Sequence, residues 1–376
     1  MRSRSVFFVL VLVVPLLLAA AGAAGAGALT FASRAAYASG SQTRAVAVGD
    51  VNADGRVDVV AANMGASTVS LFTGTGLGTF AAARTFATAS LPRAVAVADF
   101  NRDGRGDALT VSWDPNAKAA SLLLATTTGG FAARRDVAIG QGTTALAVGD
   151  VNNDGKLDFV TANEGASMYV NGNISVRLGN GAGAFTAAAN VVTKQGPEAV
   201  GLADFNGDGR LDLAVANYVA NSVTVWRGSG TGTFTGAVDV ACGSGPFALA
   251  TGDVNGDGRR DIVTANGGGN TLSVLLGNGA GGFAAKRDYA AGSYPNAVAI
   301  ADMSGDGKMD LVASNYFGNS VSVLVANGSG GFLAAQTLAS GTNPSGVAVA
   351  DFNGDRKLDV VDSEVGTSSI GVFLQQ

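Results

Sequence analysis

Aspartate, asparagine and glycine recur along this chain at a spacing that suits a hard cation. Asp50, Asn52, Asp54 and Asp58 place oxygen side chains at positions 1, 3, 5 and 9 of a nine-residue loop. Gly55 at position 6 supplies the sharp turn, and the backbone carbonyl of Arg56 at position 7 can join the ligands. The pattern returns as Asp99, Asn101, Asp103, Arg105 and Asp107, then as Asp150, Asn152, Asp154, Lys156 and Asp158. It continues as Asp204, Asn206, Asp208, Arg210 and Asp212, and as Asp253, Asn255, Asp257, Arg259 and Asp261. The last two copies are Asp302, Ser304, Asp306, Lys308 and Asp310, and Asp351, Asn353, Asp355, Lys357 and Asp359. Ser304 is a weaker, neutral oxygen ligand, and Arg356 stands at position 6 of the seventh loop where the others have glycine. Binding is expected to be weakest there.

A donor set of oxygens alone selects Ca²⁺ over zinc or copper, and flexible loops favour it over Mg²⁺. Up to seven structural calcium ions are expected. The alternative is a set of Asx turns without metal, since the same residue types form turns. A catalytic metal would need an open coordination position and a partner acid or base. Seven equivalent copies do not look like one active site.

Loops repeated every 49 to 54 residues must be positioned by a repeated unit. Between Arg44 and Arg93 four short apolar runs are separated by Gly, Asn and Asp, with no helical spacing. The fold class predicted is therefore all-β: a seven-bladed β-propeller with four antiparallel strands per blade. A phenylalanine after each third-to-fourth strand turn, at 80, 131, 185, 234, 283 and 332, reads as core between sheets. Unit three carries an insertion at Met168–Asn173, and the seventh unit lacks a fourth strand after Leu374. Residues 30–38 match the missing piece and are expected to close the last blade. Residues 1–28 read as a secretory signal, with Arg2 and Arg4 before an apolar run and small residues before the cleavage site. The propeller then occupies 29–376, secreted or at the cell surface, with no membrane span after cleavage. Of the 29 acidic residues, 21 lie in the loops, so the net charge of −5 is a property of those loops. No basic stripe for nucleic acid is visible. Cys242 has no disulfide partner and reads as a buried small hydrophobe.

The stretch Ala203–Leu213, the Ala-Asn-Tyr…Asn-Ser-Val segment at 216–223 and the Leu-Gly-Asn-Gly-x-Gly-x-Phe turn resemble FG-GAP repeats, in particular the bacterial subgroup called VCBS repeats. The resemblance extends over 30–376 and is similar to the seven-bladed propeller of integrin alpha subunits. It implies Ca²⁺ held between the first and second strands by positions 1, 3, 5, 7 and 9, and extracellular binding or adhesion in some members.

Strand parity puts the acidic loops on one face. On the other face the repeats differ. Just before the first strand stand Arg44, Arg93, Thr144, Glu198, Phe247, Asn296 and Ser345, and the other loops add Trp113, Glu164, Tyr169, Tyr218, Tyr316 and Phe317. Such a mouth suits a protein or glycan partner for a monomeric binding module. The alternative is a polysaccharide lyase or hydrolase on the same scaffold. The chain has no His and no nucleophile constellation, so no catalytic residue is assigned.

Overall fold

Short apolar runs bounded by Gly and Asx turns cannot bury a helical face, and they form strands throughout. The structure, a computed structural model, describes residues 28–328 and 330–376. The expected signal segment, apart from Ala28, lies outside the described residues. Those residues form seven sheets and no helix. In blade one, Thr43–Gly49, Asp58–Asn63, Thr68–Phe72 and Arg84–Ala87 pair antiparallel in that order. The first strands of all blades line a common central channel. They run close together: a Cβ on Gly49 would come within 2.7 Å of Val97 Cγ1 in the next blade.

The second strand of every blade is buried along its whole length. Both of its faces are covered by neighbouring blades, which explains its near-continuous apolar sequence. The core is accordingly divided into seven layers, each built from two consecutive blades. The layer between blades seven and one joins Val59, Phe72 and Phe80 to Phe352, Ile370 and Val372. Three hairpin phenylalanines pack edge-on against a ring in the preceding blade's acidic loop. Phe80 lies 5.3 Å from Phe352, Phe185 5.7 Å from Phe100, and Phe283 5.4 Å from Phe205. Cys242 is buried, and burial pushes its thiol up to about 12.

Blade seven is made of Pro344–Ala350, Asp359–Glu364, Ser369–Phe373 and, as its outer strand, Ala35–Ala38. Ala35 opposes Val372 and Ala38 opposes Ser369, with Phe31 bridging to Gln375. Arg34 Nη1 donates to Glu364 Oε1 at 2.6 Å. At the position of Glu364 the other blades carry Asn63, Ser112, Asn163, Asn217, Asn266 and Asn315, so the ion pair belongs to the closing blade alone. Blade three departs from the four-strand plan. Its third strand lengthens to Asn171–Gly179, and two outer segments, Phe185–Ala187 and Val191–Gln195, share it.

Candidate functional site

The acidic loops and the glycine hairpins meet on one face. Position 1 folds onto the backbone: Asp54 N–H donates to Asp50 Oδ1 at 3.1 Å and Gly55 N–H to Oδ2 at 2.8 Å. Position 9 looks inward. Asp58 Oδ2 accepts from Val51 N–H at 3.0 Å and Oδ1 from Gly74 N–H at 2.8 Å, which ties the loop to its own hairpin. The hairpin in turn reaches the previous blade, as where Gly78 N–H donates to the Phe352 carbonyl at 2.9 Å. Position 6 is left-handed in all seven loops. Gly55 has φ +80°, and Arg356 adopts φ +69° in the same place, a strain of about 1 kcal/mol. Position 4 is left-handed as well, with Ala53, Arg102 and Asn153 in the first three loops.

The loops fit a hard cation in their donor chemistry. Burial, with the carboxylates of Asp54 and Asp50 beside it, pushes Asp58 up to about 6, and five other position-9 aspartates behave alike. Asp212 is raised for the same reason. In loop six, Ser304 Oγ is buried without a hydrogen-bond partner. Among the described residues, no three acidic side chains converge as a ready metal cluster. In five loops the basic side chain at position 7 pairs instead with the carboxylate at position 5, at 3.0 to 4.0 Å. That pairing was not read from the sequence, which gave position 7 only its backbone carbonyl.

On the opposite face each first strand carries a bulge, and it falls at the same place every time. The register shifts between Thr43 and Ala45, Pro92 and Ala94, Thr143 and Ala145, Pro197 and Ala199, Pro246 and Ala248, Pro295 and Ala297, and Pro344 and Gly346. The skipped residues are the seven variable ones: Arg44, Arg93, Thr144, Glu198, Phe247, Asn296 and Ser345. A bulge re-aims the extra residue out of the ladder. All seven line the central channel, a cavity of about 160 Å³ that extends from them along the first strands.

The mouth has two unlike arcs. On one, Arg93 Nη2 contacts Glu198 Oε2 at 2.5 Å, and Trp113 Nε1–H donates to Glu164 Oε2 at 3.3 Å. Arg93 also lies over the rings of Trp113, at 5.4 Å, and Phe247, at 5.5 Å. Burial pushes Glu198 up to about 8, with Arg93 opposing and Glu164 adding to the rise. Glu164 is buried, not the loop-surface residue its sequence position suggests. The other arc is aromatic. Tyr218 and Tyr294 flank Phe247 at 6.2 and 6.0 Å, and Phe317 contacts Tyr294 at 4.9 Å and Tyr316 at 5.1 Å. Tyr294 has φ +58° where three other blades use Gly142, Gly196 and Gly245, so an aromatic ring is placed here despite backbone strain. Burial and the nearby Arg93 bring the Arg44 guanidinium down to about 10, so it remains cationic at neutral pH. Tyr169 is 69% exposed and no ring contact joins it to this cluster.

A family model described as FG-GAP-like repeat matches residues 50–110, 165–215, 204–264, 253–313 and 305–361, and one described as FG-GAP repeat matches 142–184. No curated protein matches the chain in sequence. Among solved structures, it is similar to BBS1N in complex with ARL6DN, at TM-score 0.64 and 10% identity, covering 93% of this chain and 97% of that one. It is also similar to an Agrocybe aegerita lectin described as recognising non-reducing terminal N-acetylglucosamine, at TM-score 0.53 and 19% identity, with 83% and 81% covered. A Lactobacillus plantarum protein matches at TM-score 0.60 and 14% identity, with 82% and 88% covered. At these identities the likeness is one of fold. With the repeat signature over most of its length and seven blades that close on themselves, the chain belongs to the FG-GAP repeat family.

Proposed function

We propose that this protein is a secreted or cell-surface binding module, monomeric and calcium-stabilised, that takes a protein or glycan at the mouth of its central channel. The observation that carries this reading is the ring of seven bulges. Each blade keeps its ladder, core and loop, and varies the one side chain its bulge turns to the mouth. Two similar propellers are described with a protein and with a sugar, which makes either class of partner compatible with the fold. Calcium would be held by the oxygens at positions 1, 3, 5 and 9, with the position-7 carbonyl, and would offset the repulsion of three carboxylates per loop. That role is structural, on the face away from the mouth. Among the described residues no helix is long and apolar enough to cross a membrane.

A glycan array read with and without calcium tests the reading. The expected result is retention of intact glycans that Phe247→Ala weakens without lowering the melting temperature. Cleavage of an arrayed glycan would replace the module with the enzyme reading, for which Glu164 and Glu198 would be the first residues to examine.

A further inference from the structure

Six of the seven bulge side chains are polar, and five of these are tied to protein partners. The Ser345 hydroxyl donates to the Arg44 carbonyl. Thr144 Oγ1 donates to the Pro197 carbonyl at 2.7 Å. Asn296, with its amide turned so that nitrogen faces acceptors, donates to the Pro344 carbonyl at 3.2 Å. Arg93 and Glu198 hold each other. Arg44 is the exception. Among the described residues its guanidinium meets no hydrogen-bond acceptor and no carboxylate at ion-pair distance. It lies instead over Phe247 at 5.6 Å and Tyr316 at 5.8 Å.

The ring faces stabilise its charge, but they satisfy none of its five N–H donors. A half-buried cation with unmet donors is costly in the free protein and ready to pair with an incoming anion. The planar fork of guanidinium matches a carboxylate through two parallel hydrogen bonds.

The surroundings indicate what bears that carboxylate. Phe317, 62% exposed, and Trp113, 38% exposed, offer apolar ring surface at the rim. Sugar rings stack on such surface. A segment rich in aspartate or glutamate would pair one carboxylate with Arg44 and leave that ring surface unused. We propose that Arg44 anchors the carboxylate of an acidic saccharide, a uronate ring seated in the mouth beside Phe247 and Tyr316. This assignment rests on the mouth being the binding surface.

The test is calorimetric titration of the calcium-loaded chain with galacturonate and glucuronate oligosaccharides, neutral glucose oligosaccharides, and an aspartate-rich peptide. Wild type is compared with Arg44→Gln, Arg44→Lys and Phe317→Ala, each first checked for an unchanged melt. Binding is expected for a uronate, weakened roughly tenfold or more by Arg44→Gln and only partly restored in Arg44→Lys, which lacks the fork. Equal affinity for uronate and neutral sugars, insensitive to Arg44→Gln but lost in Phe317→Ala, overturns the carboxylate anchor and leaves the binding module standing. Arg44-dependent binding of the peptide alone overturns the saccharide assignment. No binding of any probe by a folded protein overturns the uronate proposal, and no retention on a glycan array besides would take the glycan form of the module with it.

Discussion

Asp362 is fully buried in blade seven, where the other blades place Ala61, Thr110, Thr161, Val215, Thr264 and Ala313. The Ser340 hydroxyl donates to one of its oxygens and Gly371 N–H to the other at 3.1 Å. Arg34, the nearby cation, pairs with Glu364 instead. Burial, and then the Glu364 carboxylate, push Asp362 up to about 7. Between the ordinary value near ~3.9 and about 7, the native state keeps a proton that the unfolded chain releases. Stability from this group therefore falls as pH rises through that window, and the loss is complete above it. Asp362→Asn is predicted to raise unfolding free energy at pH 8 by something on the order of a few kcal/mol, and to change little at pH 4. Equal effects at both pH values in denaturant melts would show that shape and not charge decides. Asp362 is not legible in the sequence, because one carboxylate inside an apolar strand does not announce its burial. The nine-residue loops were legible for the opposite reason: their spacing is local, so no partner strand is needed to read it. The left-handed position 4 is not legible in the first two loops, since Ala53 and Arg102 carry no sign of a positive φ.

Among the elements, the segment at 30–38 closes the ring. Without it the strand Ser369–Phe373 would present a bare edge, and Glu364 would lose its cation in a fully buried site. Deleting Thr30–Tyr37 is predicted to lower the melting temperature sharply and to produce concentration-dependent association; a full-height, unshifted melt would contradict closure through this strand. The segment was recognisable in the sequence because it repeats the Phe, Tyr and Gly of residues 282–292. The divided outer strand of blade three was not. Outer strands are largely exposed, as in Arg84–Ala87, so burial imposes no alternation to separate strand from loop. The seven mouth residues are legible in the sequence as the positions at which the repeats differ, but they lie at a bulge inside the first strand and not before it. A bulge is a mismatch between two strands, and one strand read alone cannot show it.

At the scale of the whole molecule, seven core layers and seven acidic loops make a ring in which each blade supports two others. If each loop binds calcium in the millimolar to submillimolar range of extracellular modules, a tenfold excess over Kd contributes about 1.4 kcal/mol per site. Chelation is therefore predicted to lower the melting temperature by many degrees and to speed proteolysis, both reversed by added Ca²⁺. A melt indifferent to chelator would remove calcium from the account of stability. The ring also has a history written into its closure. Arg34 is synthesised 330 residues ahead of Glu364, its partner. At ordinary rates of translation that is a wait on the order of tens of seconds. Throughout it, the first-made strand has nothing to pair with, and the flank of blade one that will meet blade seven stands open. Its seventh blade can be completed only after the strands of every other blade have been made.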